Sequence, residues 1–363
     1  MKMMIYGAQG YALGAYEAVK TLYPDSEVLM FTVTSMNGNA PTLGGLPVRE
    51  IGSVSEELSS DEKKNISVLI ATPENVQGEI EETLEEHGFI DHTRLTSDVW
   101  DDLMRQLNMK TGRFLPLGGL STGDIIPKIR IYMARSHKDK TLRNPVALPD
   151  YMTPIQVGAA NTGDVIADLR DDTGDNISAK NANYCELTGL YRVWKSMYEN
   201  DVFKDRDNHL YYGFAQYRRV LILSDEDLSR LVKNDIDVVL PYPLMYEPDI
   251  HSHHERYLKE SDWNALLTAL RELQPEYADY FPQVLKQQYL YNYNVILAKK
   301  AVLRDYCAWL FPILERTEEL SVPKGCERAD RYIGYMGETL ETLYFIKNAN
   351  KLNIVHTGCK IFV

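Results

Sequence analysis

Residues 171–221 concentrate the side chains of this chain best equipped to hold a polar ligand. Asn176, Lys180, Asn181 and Tyr184 fall in the run NISAKNANYCELTGLYRVWK, where amides, an ammonium group and a carboxylate are interleaved with Tyr184, Tyr191 and Trp194. Hydrogen-bonding groups set among aromatic rings suit a cleft for a polyhydroxylated ligand. Downstream, YYGFAQYRR reads as a buried strand ending in two adjacent cations, Arg218 and Arg219. A guanidinium offers a planar fork of donors, so such a pair at a strand end can hold phosphate oxygens. The same residues have a plainer reading, with the aromatic stripe as helix core and the arginines solvated.

Gly7, Gly10 and Gly14 form a second candidate, GAQGYALG, placed between a short apolar strand (Lys2–Tyr6) and a helix that Pro24 closes. A strand, a glycine-rich turn and a helix start make a Rossmann-type entry, where helix amides can meet a phosphate. The spacing departs from GxGxxG, and the next strand (Val28–Val33) runs into Thr34 and Ser35 rather than an acid for a ribose, which weakens the case for NAD. Close helix–strand packing explains the same glycines equally well. The cluster His251-Ser252-His253-His254-Glu255 invites a metal reading but lacks helical ligand spacing, so a loop lining a substrate site is preferred and no metal site is assigned.

Composition narrows the classes. With 39 Lys+Arg against 52 Asp+Glu the net charge is −13, which argues against nucleic acid as a partner. The four cysteines are scattered without a CxxC pair, as in a reducing compartment. Neither a signal-peptide core nor an apolar run long enough for a bilayer is present, so a cytoplasmic location is expected, with peripheral docking at the inner membrane face left open.

These residues must be positioned by alternating strands and helices. Strands at Lys2–Tyr6, Val28–Val33 and Ile66–Thr72, with helices after the first and third, predict a small parallel sheet in residues 1–110. TLGGLPVREI reads as a turn-rich link and Ser53–Lys64 as one polar helix. Residues 111–127, rich in Gly and Pro, read as a linker, and KIRIYM opens a second domain over 128–363. Within it the sequence predicts a helix over Asn181–Glu199, strands at Leu210–Phe214 and Tyr289–Ala298, a long helix from Lys299 to Leu320 and another over Arg328–Ile346. The fold class expected is α/β throughout.

From Ile129 to Asn348 the chain resembles a family of bacterial domains of capsular and extracellular polysaccharide biosynthesis, assigned as glycosyltransferases. The residues that carry the resemblance are IRIYMARSHKDK, PIQVGAA, DDTGDNISAKNANYCELTGLYRVWK, YYGFAQYRR, YLYNYNVILAKKAVLRDYCAWLFPILERTEE and DRYIGYMGETLETLYF. Where members usually carry a His before YRR, this chain has Gln216, and Arg192 stands where a Trp usually follows the Tyr of the GLY segment. Residues 1–110 resemble the N-terminal sugar-nucleotide-binding domains of bacterial acyltransferases that modify amino-sugars, through the Gly7–Gly14 turn, Gly44–Val48 and Val68–Pro73.

The resemblance implies a GT-A-like α/β domain that moves a sugar from a nucleotide-sugar donor, a UDP-sugar first among them, to a saccharide or lipid-linked saccharide acceptor. Asn176, Lys180, Asn181 and Tyr184 are then assigned to the donor, Arg218 and Arg219 to its diphosphate, and Asn292 and Asn294 to sugar hydroxyls. Glu338, Asp330 and Glu186 are the candidates for the acceptor base, with Glu338 preferred because Gly334 and Gly337 would let a substrate approach. A divalent ion, Mg or Mn, is left open: the acidic triplets Asp205-Arg206-Asp207 and Asp225-Glu226-Asp227 do not directly follow an apolar strand. Two rival readings are an NAD(P)-dependent oxidoreductase or epimerase built on Gly7–Gly14, and a non-catalytic module that binds sugar nucleotides.

Overall fold

The computed structural model describes residues 1–142, 147–199 and 209–361, which form two compact units. The first comprises Met1–Phe114 together with Leu244–Glu247; the second comprises Leu115–Pro243 and Pro248–Phe362.

In the first unit, five mutually parallel strands follow from apolar runs bounded by turns. Counted along the chain as Lys2–Tyr6, Glu27–Val33, Leu46–Glu50, Ile66–Ile70 and His92–Arg94, they lie in the order 3-2-1-4-5, a doubly wound arrangement. The segment expected as a turn-rich link is instead a hairpin, Thr42–Leu43 with Leu46–Glu50, whose second strand joins the sheet. The helix expected over Ser53–Lys64 is two helices, Ile51–Glu57 and Ser60–Lys64, because Ser59 and Glu62 close a capping box that starts a new helix. Met4, Ile70, Leu84 and Phe89 are fully enclosed and form the core beneath the sheet.

The second unit is built on a nine-stranded sheet. Counted along the chain, Lys128–Arg135, Met152–Gln156, Leu169–Arg170, Leu210–Gln216, Val238–Pro241, Ile296–Lys299 and Ile354–Thr357 lie in the order 3-2-1-4-6-5-7. All run parallel except the sixth, Ile296–Lys299, which is antiparallel to both neighbours. This is the α/β, GT-A-like architecture that the resemblance implied. Helices Leu187–Glu199, Lys300–Leu320 and Tyr332–Lys347 provide much of the helical layer. Gly189 and Gly213 mark where backbone and side chains close up: a Cβ on Gly189 would stand 2.7 Å from Val157, and one on Gly213 2.8 Å from the Ile296 carbonyl.

Candidate active site

The parallel strands of the second unit end on one edge, and a cavity of about 420 Å³ opens there beside Ala134, Val157 and Gln216. Ligands of open α/β sheets bind outside such carboxyl ends. Its polar and charged wall includes Lys138, Asp139, Asn181, Cys185, Glu186, Gln216 and Arg331.

Glu186 reaches this wall because the helix expected over Asn181–Glu199 is broken. Asn181–Tyr184 is one short helix and Leu187–Glu199 another, with Cys185 between them at φ 53°. The break is stabilised locally: the Cys185 carbonyl accepts from Asn181 Nδ2 (2.6 Å) and Thr188 Oγ1 (3.1 Å). Glu186 therefore stands at the start of the second helix, where a carboxylate is favoured by the helix dipole. Two amides then aim it. Gln216 Nε2 (2.9 Å) and Asn294 Nδ2 (2.8 Å) both donate to Glu186 Oε1, which leaves Oε2 without a hydrogen bond from the described residues. Gln216 also donates to the Tyr293 carbonyl at 2.9 Å, so one amide fixes both the carboxylate and the loop behind it.

That loop corrects another expectation. Tyr289–Ala298 is not one strand: Tyr289–Leu290 and Ile296–Lys299 are separated by a turn in which Tyr293 (φ 75°) and Asn294 (φ 50°) are left-handed. The turn directs the Tyr293 amide at Glu338 Oε1, 2.9 Å away. Glu338 sits on the helix Tyr332–Lys347, behind Glu186. Burial, and then the charge of Glu186, push its carboxyl up to about 8. Glu341, one turn further and 1% exposed, is pushed well above the carboxylate range by the same burial, with the charges of Glu338 and Glu186 adding to it. The third carboxylate proposed from the sequence, Asp330, stands apart: it pairs with Arg328, which in turn holds the buried Asp262.

The structure gathers some of the other predicted residues and disperses the rest. Asn181 lines the cleft. Lys180 Nζ (2.6 Å) and the Tyr184 hydroxyl (3.0 Å) are both committed to Glu318 on the long helix, and Tyr184 is 2% exposed. Asn176 closes a turn, accepting from Ser178 N and donating to the Gly174 carbonyl. Tyr191 and Trp194 pack on Phe311 with ring centroids 5.0 and 5.4 Å away, so these rings are core and not a ligand platform. Asn294 is buried against Glu186, and Asn292 is 8% exposed in the same loop; neither lies on a strand. Arg218 and Arg219 do not form a twin clamp. Arg218 occupies the turn of a hairpin between Leu210–Gln216 and Arg219–Val220, and the Arg219 guanidinium lies 3.6 Å over the Tyr293 ring. The cations that line the cleft itself are Lys138 and Arg331. Arg331 holds a left-handed backbone (φ 66°) at the start of the helix Tyr332–Lys347 and donates to Cys185 Sγ at 3.2 Å. Their only sequence signal was position: Lys138 follows the first strand of the unit and Arg331 is the second residue of the motif DRYIGYMGETL.

Among the described residues no three His, Cys, Asp or Glu side chains converge as a metal site. Asp225 and Asp227 begin a helix in which Asp227 completes a capping box with Ser224 and pairs with Arg230. Asp205 and Asp207 lie outside the described residues. The histidine segment is a short helix, Ile250–His254, rather than a loop; burial drives His254 down to about 3.

In the first unit each glycine of the predicted phosphate turn is used in packing. A Cβ on Gly7 (φ 127°) would lie 2.6 Å from the Ala71 carbonyl, one on Gly10 3.1 Å from Leu244, and one on Gly14 2.6 Å from Trp100. No helix among the described residues is long and apolar enough to cross a membrane.

Among solved structures the chain is similar to the apo form of the WbbM bifunctional glycosyltransferase, at 29% identity and a TM-score of 0.53. The likeness covers 64% of this chain and 45% of that one, so this chain spans less than half the length of that protein. No curated protein matches. Residues 130–349 match the model of one family over well beyond half of the 363 residues, and the chain belongs to that family, described as Domain of unknown function (DUF4422).

Proposed function

We propose that this chain is a glycosyltransferase that carries a sugar from a nucleotide-sugar donor, with a UDP-sugar first among the candidates, to a saccharide or lipid-linked saccharide acceptor of capsular or exopolysaccharide assembly. The observation that carries the reading is Glu186: one oxygen is gripped by two amides and the other is left to a cleft at the carboxyl edge of the sheet. The likeness to a glycosyltransferase chain supports it.

The chemistry follows from the wall. As an acceptor hydroxyl attacks the anomeric carbon of the donor, its proton passes to Glu186 Oε2, and the bond from that carbon to the nucleoside diphosphate breaks. Glu338 keeps its own proton at neutral pH, because burial and the nearby Glu186 push its carboxyl up to about 8. This moves the base from Glu338, preferred on sequence grounds, to Glu186, with Glu338 behind it. Lys138 and Arg331 meet the charge of the leaving diphosphate, the role first given to Arg218 and Arg219.

The test is a panel of UDP-, GDP- and dTDP-sugars, with Mg²⁺ or Mn²⁺ supplied, read by thermal shift and by slow release of nucleoside diphosphate. One nucleotide family is expected to raise the unfolding midpoint by linkage and to be hydrolysed. If no donor binds or turns over, while NAD(P) does bind, the reading is lost to the oxidoreductase alternative.

A further inference from the structure

We infer that Tyr257 and Tyr335 form a pyranose-stacking subsite for the acceptor, continuous with the cleft at Arg331. This inference rests on the glycosyl-transfer reading for the name acceptor, and on separate geometry for the site.

Tyr257 is 41% exposed. It stacks on Tyr335, with centroids 4.5 Å apart and planes inclined by 19°. The stack is anchored from below. His254, 1% exposed, meets Tyr335 at 6.2 Å and Trp263 at 5.7 Å, and Trp263 is itself 4% exposed. His253 abuts Tyr257 edge-on at 6.0 Å. The result is a column of rings rising from the core of the second unit to its surface, with the partly exposed Tyr257 outermost.

The column is tied to the cleft. Tyr335 N donates to the Arg331 carbonyl at 3.3 Å, and the Arg331 guanidinium, part of the cleft wall, lies 5.8 Å over the Tyr335 ring. The Tyr335 hydroxyl also stands within electrostatic reach of Cys185 and Glu338. A chain of rings that starts beside Arg331 and ends at solvent is suited to a sugar ring of the acceptor lying next to the cleft. The apolar C–H face of a pyranose lies on an aromatic face, while phenol and imidazole edges serve its hydroxyls. An aliphatic partner would gain nothing from those polar edges.

Saturation-transfer NMR with methyl α-pyranosides of glucose, galactose and mannose, at millimolar concentration on the whole protein, tests the assignment. At least one is expected to show transfer centred on its ring C–H protons, weakened about fivefold or more in Tyr257→Ala and retained in Tyr257→Phe. An unchanged thermal midpoint certifies that each variant is folded. Equal transfer in wild type and Tyr257→Ala, or no transfer from any of the three sugars, overturns the subsite. The donor panel decides the reaction independently: donor turnover without pyranoside contact removes only this inference, and pyranoside contact without donor turnover removes only the proposed reaction.

Discussion

The two larger sheets, one in each unit, both present carboxyl ends of parallel strands, yet the unusual backbone positions of the two units differ. In the first unit every positive-φ position among the described residues is a glycine, Gly7 among them, and Gly10 and Gly14, on ordinary helical backbone, are likewise crowded by neighbours. In the second, beside Gly158 and Gly174, five described residues with side chains are held at positive φ: Asp235, which pairs with Lys299, and Cys185, Tyr293, Asn294 and Arg331, these last four within one step of Glu186 or Glu338. Such positions cost on the order of 1–3 kcal/mol each and persist only where surrounding contacts enforce them. A glycine in a tight spot reports close packing; a strained cysteine, tyrosine, asparagine and arginine around two carboxylates report a site being held in shape.

The contrast can be broken at either end. The largest effect is expected from Glu186→Gln, which keeps the hydrogen-bond geometry but removes the base: donor-to-acceptor turnover should fall by about 10²–10⁴ in kcat. A full-rate variant would end the assignment. Gly14→Ala probes the other side. In an open helix interior this change stabilises by roughly 0.5–1 kcal/mol. Here the new methyl meets Trp100, itself wedged edge-on against Tyr11, so urea unfolding should report a loss of about 1–3 kcal/mol instead. A stabilised variant would reopen the glycine turn as a site with room for a ligand.

Asn294→Ala removes one of the two donors to Glu186 Oε1 and places alanine at φ 50°. The expected cost is about 1 kcal/mol, seen as a several-fold drop in kcat with KM for the donor little changed. The smallest effect at neutral pH belongs to Glu338→Gln, because the wild-type carboxyl is already protonated there. Its signature is in the pH dependence. Between about 4.5 and 8 the folded protein holds a proton on Glu338 that the unfolded chain has released, so this group's stabilisation fades as pH rises through that window. Replacing it should flatten the decline in denaturation midpoint between pH 5 and 8, and an unaltered slope would show that the Glu338 carboxyl is not held protonated in the folded protein.

Much of the architecture was legible. Alternating apolar strands and amphipathic helices gave the layers, and Leu210–Gln216 and Lys300–Leu320 lie close to where periodicity put them. The site was legible as a set of residues but not as an arrangement. Nothing in NANYCELTGLY announces a break, since Cys185 is neither Gly nor Pro; the break is made by Asn181 and Thr188 binding its carbonyl. Without it Glu186 would be one more residue on a helix. The YNYN run alternates as a strand does, and only the asparagine, tolerant of a left-handed backbone, hinted at the turn. Lys180 and Tyr184 looked like ligand groups because their partner, Glu318, lies 138 and 134 residues away. Local pattern names the groups that can bind; which of them are already bound to each other is decided by contacts between distant segments.

The contribution of Leu244–Glu247 to the first unit has a consequence for synthesis. Leu244 and Met245 pack at Gly10, and Glu247 accepts from the Gly44 amide at 2.5 Å. The rest of that unit has left the ribosome by Phe114, so its completion waits for another 133 residues (247 − 114). At about 5–20 residues per second the nascent sheet stands unfinished for roughly 7–27 s, with the start of its first helix uncovered. The bulk of the first unit is therefore made before the second and, by its own topology, cannot close until Glu247 has been added.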